Sequence, residues 1–320
     1  MAKKILVTGS CGFIFSNFVL QTLMKTDYNV VSIDKLTYAG KITNLPLDAI
    51  NNKRHRLHIG DICDTHFVNK IFEIEKPDYV IHGAAESHVD NSILDPSVFI
   101  KTNVMGTNNM LNAALKVYTP EKFINISTDE VFGSKNFGES YETDALDPRS
   151  PYSASKASAD LLGQAYYATY KLPVITTRCS NIFGPRQDVE KLIPKTINNI
   201  IKEKPIPIYG NGSQIRDWLY VNAKFEALNI ILERGIIGEV YNIGAEHEIQ
   251  NIEIVNMICD IMGTGKNLIT FVEDRKGHDV RYQVNCNKLK ELGWTNKYDF
   301  EEALRHTVGW YRANRGWFLK

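Results

Sequence analysis

The sequence has no excess of either charge, since its 320 residues include 37 lysines and arginines and 37 aspartates and glutamates. Without a net positive charge a broad basic surface is not expected, which argues against nucleic acid as the main partner. The chain also lacks an apolar run long enough to cross a bilayer. Its first apolar run, residues 5–7, is too short for a signal peptide and breaks at Thr8 and Gly9. We therefore expect a soluble, cytoplasmic protein without membrane contact.

Cysteine and metal-binding patterns are sparse. The five cysteines are far apart, odd in number and without a Cys-x-x-Cys motif, so reduced thiols in a reducing compartment are expected. Among the eight histidines, only His55 and His58 are closely spaced, and we interpret that pair as part of a solvated loop. The sequence predicts no metal site.

A regular alternation of strand-like and helix-like segments fills the first half of the chain. Apolar runs at 5–7, 30–33, 57–59, 79–82, 123–126 and 174–177 alternate with segments of helical period, the longest near 103–118 and 152–170. Such repeated βαβ units with almost continuous apolar strands predict a parallel sheet covered on both faces. The fold class is therefore α/β, with a doubly wound parallel sheet of the Rossmann type.

A glycine turn between the first strand and its helix indicates a dinucleotide site. Gly9 and Gly12 leave backbone N–H groups and a helix N-terminus free for a pyrophosphate. Asp34, at the end of the second strand, can accept from both adenosine ribose hydroxyls and would repel a 2′-phosphate, which favours NAD over NADP. Phe15 stands where a third glycine is usual, so either the helix stands off or the ring turns into the core.

The composition changes near residue 180. Prolines at 185, 194, 205 and 207 and the loop 209–213 indicate a smaller and less regular lobe. We expect an NAD-binding domain over 1–180 and a smaller C-terminal substrate-binding lobe over 181–320. A helix near 223–233 and a strand at 240–243 suggest that 217–245 returns to the first domain.

The candidate catalytic residues cluster after the fifth strand. Tyr152 and Lys156 are four residues apart on one helix face, which predicts an ammonium near the phenol and a lowered phenol pKa. Ser150 and Pro151 are typical of an N-cap and a first helical residue. Residues 128–130 fall just past the carboxyl end of a buried strand, where ligands bind in open α/β sheets. Read singly, Tyr-x-x-x-Lys is more often a surface pair and the acidic residues a solvated turn.

Together these motifs resemble the extended short-chain dehydrogenases/reductases. Within that group the segments 34–40, 84–90, 127–133, 151–156 and 190–194 are similar to the nucleotide-sugar 4,6-dehydratases that act on dTDP-glucose or UDP-glucose. The resemblance extends over almost the whole chain, through 274–282. The Thr-Asp-Glu run at 128–130 carries most of its specificity, because related epimerases lack that acidic pair.

The resemblance implies a reaction and roles for five residues. Tyr152, helped by Lys156, would take the proton of the sugar 4-hydroxyl, which Thr128 holds, while hydride passes from C4 to NAD. Glu130 would then remove the C5 proton. Asp129, kept protonated by burial and its carboxylate neighbour, would protonate the departing 6-hydroxyl. Return of the hydride to C6 gives a 4-keto-6-deoxy sugar, as needed for a deoxysugar such as rhamnose.

The resemblance also implies binding residues and a homodimer joined by the two long helices. The expected NAD contacts are Gly9, Gly12, Phe13, Ile14, Asp34, Lys35, Thr37, Asp61, Ile62, Ala84, Ala85, Ser87, Tyr152 and Lys156. The expected substrate contacts are Ser87, Thr128, Asn181, Lys191, Leu192, Pro207, Tyr209, Arg216, Asn242, Arg275 and His278. Two alternatives stay open: an NAD-dependent 4-epimerase or decarboxylase of the same fold, and a catalytically silent dinucleotide-binding protein.

Overall fold

The computed structural model describes residues 2–274 and 279–319. The strands are β1 Lys4–Thr8, β2 Asn29–Asp34, β3 His55–Ile59, β4 Tyr79–His82, β5 Lys122–Ile126, β6 Val174–Cys179, β7 Asn181–Phe183, β8 Ile206–Tyr209, β9 Ile215–Tyr220, β10 Val240–Ile243, β11 Glu248–Gln250 and β12 Ile269–Val272. The α-helices are α1 Phe13–Lys25, α2 Leu47–Ile50, α3 Thr65–Glu75, α4 Val89–Leu94, α5 Pro96–Phe99, α6 Thr107–Lys116, α7 Pro151–Tyr170, α8 Leu192–Ile201, α9 Val221–Arg234, α10 Asn251–Met262, α11 Asn287–Glu291 and α12 Phe300–Ala313.

Seven parallel strands form the large sheet in the order β10-β6-β5-β4-β1-β2-β3. Alternate side chains of each strand point to opposite faces. Ile5 and Val7 of β1 pack in the core beneath α1 and α9, whereas Leu6 packs in the core formed with α3, α6 and α7. Burial on both faces explains why the strands are apolar without alternation. The predicted Rossmann-type α/β class is confirmed.

The sheet contains a strand that comes late in the chain. β10 pairs in parallel with β6, with Val240 opposite Thr176, and so forms the edge beyond β6. α9, which precedes β10, packs against α1 on one face of the sheet.

Two small sheets and a separate core lie in the C-terminal half. One sheet has the order β11-β9-β7 and the other joins β12 to β8. Their apolar side chains pack with α8, α10 and α12 in a second cluster that includes Ile197, Ile258 and Leu304. None of the described helices is both long and apolar enough to cross a membrane.

The helix that carries Tyr152 begins at a well-capped end. Ser150 is the N-cap of α7, its hydroxyl accepts the N–H of Ser153 at 3.1 Å, and the Ser153 hydroxyl accepts the N–H of Ser150 at 3.0 Å. Pro151 occupies the first helical position, as predicted. This reciprocal cap places Tyr152 in the first turn at a defined entry angle.

Candidate active site

The turn between β1 and α1 has a backbone suited to a phosphate. Gly9 has φ +73° and donates its N–H to the carbonyl of Ile33 at 2.8 Å. A Cβ on Gly9 would lie 2.9 Å from the Cα of Ala84, so both its dihedral and its neighbour require glycine. Gly12 is the N-cap of α1 and has no side chain to occupy the first N–H groups. Those groups are therefore available to an anion.

Asp34 fixes this turn to the end of β2. Its Oδ2 accepts the N–H of Cys11 and its Oδ1 that of Leu36, each at 2.8 Å. Burial raises the pKa of its carboxyl. The neighbouring Lys35 forms a 2.7 Å ion pair with Asp61 at the start of the loop after β3. The adenosine end of the predicted dinucleotide site therefore contains an anchored acceptor.

The Phe15 ring turns into the core, which is the second of the two outcomes predicted for it; the other was a helix that stands off from the sheet. Its side chain is 4% exposed and packs with the apolar residues between α1 and the sheet. A Cβ on Gly83, just after β4, would lie only 1.9 Å from Cε2 of the Phe15 ring. The glycine at 83 thus provides the space that the missing glycine at 15 would otherwise give.

The loop after β4 is held by buried hydrogen bonds. Asn103 lies in a π-helical stretch, Ile100–Gly106, accepts the N–H of Glu86 at 2.8 Å and donates to the Ser155 hydroxyl at 2.8 Å. His82 lies between the hydroxyls of Thr8 and Thr107, each 2.9 Å away, and burial lowers its pKa to about 3. The imidazole is therefore neutral and structural. Sequence reasoning did not identify Asn103, which links the loop to α7.

Thr128 and the acidic pair follow β5 directly. Thr128 is the N-cap of a 3-10 turn, Asp129–Phe132, and its hydroxyl donates to Oδ1 of Asp129 at 3.1 Å. Asp129 is 3% exposed, and burial, with a further contribution from Glu130, raises its pKa to about 8. The direction agrees with the prediction of a protonated Asp129. A neutral carboxyl at this position can donate a proton near neutral pH.

Tyr152 and Lys156 lie in the same cavity as the acidic pair. Lys156 donates from Nζ to the carbonyl of Ile126 at 2.5 Å, and burial lowers its pKa to about 8. The pKa of the Tyr152 phenol is raised, by burial first and then by Glu130 and Asp129. The predicted lowering of this pKa is therefore wrong for this arrangement of side chains. Two neighbouring carboxyls and burial outweigh the lysine and the helix N-terminus.

A cavity of 310 Å³ at the carboxyl ends of the large sheet brings these groups together. All fourteen residues predicted to contact NAD line it, from Gly9 to Lys156, together with Thr128, Asp129 and Glu130. Asn181 and Lys191 line both this cavity and a second one of 510 Å³. The two predicted sites are therefore neighbours, and Glu130 also lines both of them.

The second cavity contains most of the predicted substrate residues. Leu192, Pro207, Tyr209 and Arg216 line it. The Arg216 guanidinium donates to the carbonyl of Asp279 at 2.9 Å and lies 4.5 Å from the centre of the Tyr282 ring. Burial among these groups holds a fixed cation at the wall, which suits a diphosphate.

One predicted substrate residue is misplaced and two cannot be assessed. Asn242 lines neither cavity, because it is fully buried in β10 and donates from Nδ2 to the carbonyls of Ser140 and Asn285. These bonds hold its Nδ2 within the core, while its Oδ1 has no hydrogen-bond partner among the described residues. The structure therefore does not bring Asn242 to either cavity. Arg275 and His278 lie outside the described residues.

Several lining residues were not predicted. Cys179, Ser180 and Lys224 line the first cavity, and Gln214, Trp218 and Tyr282 the second. Lys224 occurs in a helix of ordinary amphipathic pattern, so no local signal distinguishes it from a surface lysine. Across the described ranges, no group of three or more His, Cys, Asp or Glu side chains is arranged to hold a metal.

Comparison with known proteins gives consistent matches over the whole chain. The family model described as GDP-mannose 4,6 dehydratase matches residues 6–307. The dTDP-glucose 4,6-dehydratase of Salmonella typhimurium is 44% identical over 340 residues, which cover 98% of this chain and 94% of that protein. The structure of DesIV, a dTDP-glucose 4,6-dehydratase from Streptomyces venezuelae with NAD bound, has a TM-score of 0.94 and 41% identity and covers 98% of each chain. A UDP-glucose 4-epimerase from Thermotoga maritima has a TM-score of 0.90 at 30% identity over 98% of this chain and 99% of that one.

Proposed function

Because this chain belongs to the GDP-mannose 4,6-dehydratase family, we propose that it converts dTDP-glucose to dTDP-4-keto-6-deoxyglucose. The reaction class is NAD-dependent nucleotide-sugar 4,6-dehydration. The choice of dTDP over UDP is the finer proposal, and it is supported by the names of similar relatives such as the Salmonella protein.

The observation that carries this proposal is the acidic pair beside the tyrosine and lysine. A 4-epimerase needs a base for the sugar hydroxyl and a cofactor that takes and returns hydride at the same carbon. Elimination of water from C5 and C6 needs two further groups, a base and an acid. Asp129 and Glu130 line the same cavity as Tyr152 and Lys156, and the raised pKa of Asp129 suits it to the acid role.

The proposed roles divide the proton transfers among this chain's residues. NAD, when bound, supplies the hydride acceptor and a cationic nicotinamide ring, whose charge favours ionisation of a nearby phenol. Tyr152 takes the 4-hydroxyl proton with Thr128 as hydrogen-bonding partner of that hydroxyl, and Lys156 supports the phenolate. Glu130 removes the C5 proton, and Asp129 gives its proton to the departing 6-hydroxyl. The turn at Gly9 and Gly12 and the carboxylate of Asp34 would hold the cofactor.

The division of the chain is part of the same proposal. Residues 1–180, with 217–245 returning, would bind NAD, and 181–320 would form the nucleotide-sugar lobe. The position of the first cavity at the carboxyl ends of the large sheet supports this, as do β8 and α8 in the wall of the second cavity. A homodimer joined by the two long helical segments near 103–118 and 153–170, with the neighbouring α4 and α5 beside them, is also proposed. Apolar side chains exposed there, including Leu94 and Leu161, support it.

A cytoplasmic location is also proposed, and the five free cysteines support it, because unpaired thiols are typical of a reducing compartment.

The test is a direct assay of the purified protein with dTDP-glucose and UDP-glucose in separate reactions. Mass spectrometry should detect a sugar nucleotide lighter by one water, with dTDP-glucose the better substrate. Preference for UDP-glucose would overturn the nucleobase proposal alone. Conversion to a galactose isomer without loss of water would overturn the dehydratase in favour of an epimerase.

A further inference from the structure

Lys224 is a buried amine without an evident structural purpose. It is the fourth residue of α9, and its side chain is 1% exposed. Within the described part of the chain, its Nζ makes no hydrogen bond to nitrogen or oxygen, and the Cys179 thiol is the side chain that interacts with it. A buried ammonium without an oxygen or carboxylate partner is destabilising, and a positive charge near a helix N-terminus is disfavoured as well. Groups kept under these conditions are more often functional than stabilising.

The side chain of Lys224 reaches the catalytic cavity. It lines the first cavity together with Asp129, Tyr152 and Lys156. The next residue, Phe225, packs instead against Phe18 of α1, with ring centroids 5.4 Å apart. α9 is therefore anchored to α1 through Phe225, while Lys224 projects to the site.

Asp129 is the complementary group in that cavity. Its Oδ1 accepts the Thr128 hydroxyl at 3.1 Å, while Oδ2 is buried without a hydrogen-bond partner among the described residues. The Asp129 carboxyl is also one of the groups that act on Lys224: burial lowers the pKa of this amine, whereas Cys179 and Asp129 raise it. The buried Oδ2 of Asp129 and the buried Nζ of Lys224, neither of which bonds to a nitrogen or oxygen of the described residues, are thus within electrostatic range of each other.

We propose that Lys224 is a positioning residue for Asp129, whose carboxylate it stabilises during the elimination of water. The inference rests on the proposed function. After Glu130 has taken the C5 proton, the C6–O bond breaks and Asp129 transfers its proton to the leaving oxygen, which departs as water. The electron pair of the C5–H bond becomes the C5–C6 double bond, and Asp129 is left as a carboxylate. Lys224 supplies the positive charge that this carboxylate lacks at Oδ2.

Other charged or titratable groups also act on these two side chains. Those that face Asp129 are Glu130, Tyr152, Cys179, Arg216 and Asp217, and those that face Lys224 are Cys179, Asp129 and Lys156. Arg216 is the other cation near Asp129, but its guanidinium is held by the carbonyls of Ile215 and Asp279. Lys224 is therefore the better placed to respond when Asp129 ionises.

The test compares Lys224→Met and Lys224→Gln with Lys224→Arg in the NAD-loaded enzyme. After rapid mixing with dTDP-glucose, the absorbance of reduced nicotinamide reports hydride transfer as it rises and completion of the reaction as it falls. We expect the two neutral variants to form reduced cofactor at nearly the wild-type rate but to consume it at least about tenfold more slowly. The arginine variant, which keeps the charge, should retain most of the elimination rate.

The pH dependence separates this role from a merely structural one. Elimination requires protonated Asp129, so its rate falls as pH rises through the pKa of that carboxyl. A nearby cation lowers the pKa of a carboxyl. Removal of the Lys224 charge should therefore move the alkaline limb of the pH–rate profile, where the rate falls, to higher pH by about one unit. Lys224→Arg should leave the limb in place.

Lys122→Met is the matched control. Lys122 donates from Nζ to the carbonyl of Leu232 at 2.8 Å, so this variant loosens the other end of α9 without altering the cavity. In Lys122→Met, formation and consumption of reduced cofactor should both keep their wild-type rates.

The proposal would be overturned if Lys224→Met eliminated water at the wild-type rate and kept the wild-type pH–rate profile. Equal slowing of both half-reactions, or failure of both neutral variants to fold, would also overturn it. If wild-type protein does not dehydrate the sugar at all, the proposed function itself fails.

Discussion

At the scale of single residues, the acidic pair shows how neighbours in sequence acquire different chemistry. Asp129 is buried and its pKa is raised to about 8, while Glu130 is half-buried and lines both cavities. Replacement of Glu130 by Gln keeps the shape of the side chain and removes the proposed base. Steady-state turnover should fall by about 10²- to 10⁴-fold, while the first hydride transfer continues.

Rapid mixing of Glu130→Gln with dTDP-glucose should therefore produce a lasting signal of reduced cofactor. Glu121→Gln is a suitable control because Glu121 is exposed and pairs with Lys3, far from both cavities. Elimination at the normal rate in the Glu130 variant would show that another group is the base.

Asp129 also makes the stability of the protein depend on pH. Its carboxyl is protonated in the folded state up to about pH 8 and in the unfolded chain only up to about pH 4. Between these values the folded state binds more protons, so this group lowers stability as pH rises. We expect the melting temperature of Asp129→Asn, relative to wild type, to increase steadily from pH 5 to pH 8. The measurement is thermal unfolding at fixed ionic strength, and a constant difference would contradict the raised pKa.

Predictions from sequence succeeded for single residues when the cause was local. The pKa of Asp129 is raised by burial at the end of a strand and then by an adjacent carboxylate, and both the strand and the carboxylate are visible in the sequence. The phenol of Tyr152 is different, because its pKa is raised by burial and by two carboxyls that the fold brings to it from the turn after β5. Asn242 lies away from both cavities for a related reason: its Nδ2 donates to carbonyls of residues 140 and 285, which are distant in sequence.

At the scale of elements, the contact of α1 with the end of β4 combines a large residue, Phe15, with a small one, Gly83. Phe15→Gly should destabilise the protein by about 3–5 kcal/mol through loss of a buried ring. Gly83→Leu should also destabilise it, because the new side chain would overlap the Phe15 ring. In the double variant the leucine can occupy the space that the ring leaves. Its cost should therefore be smaller than the sum of the single costs by about 0.5–3 kcal/mol.

Denaturant unfolding and the amount of NAD that copurifies with each protein would measure this coupling. The single variants should bind less NAD, since Phe15 and Gly83 both line the cofactor cavity, and the double variant should regain part of it. Additive costs would mean that the two positions are independent.

The regular elements were predictable because their signals are local and periodic. Six apolar runs became strands of the large sheet, and α7 and α9 begin within two residues of their predicted starts. The short strands of the C-terminal half, β7, β8, β9, β11 and β12, were not identified, because pairing between distant segments defines them. The π-helical stretch at Ile100–Gly106 was also missed, since its irregularity serves the contacts of Asn103 and not a repeating pattern.

At the scale of the whole molecule, the proposed dimer gives a prediction for association. Leu94 is 84% exposed on α4 and Leu161 is 55% exposed on α7, and these two helices pack together. Lysine at both positions would place charges in the middle of an apolar interface, so we expect a shift from dimer to monomer. Light scattering after size-exclusion chromatography would measure it.

A control for the dimer prediction is Phe137→Lys. Phe137 is 90% exposed and lies outside these helices, so its replacement should leave the dimer intact. If the Leu94 and Leu161 double variant remains dimeric, or the wild type is already monomeric, the proposed interface is wrong.

The pairing of β10 with β6 has a consequence for synthesis of the protein. Residues leave the ribosome in order, so β6 is available to pair with β5 well before β10 exists. With elongation at about 5–20 residues per second, this edge stays open for several seconds. Its backbone N–H and C=O groups can meanwhile accept a strand from another nascent chain. Aggregation of this chain should therefore be greatest while many ribosomes translate the same mRNA at once. Heating of the finished protein should cause less aggregation.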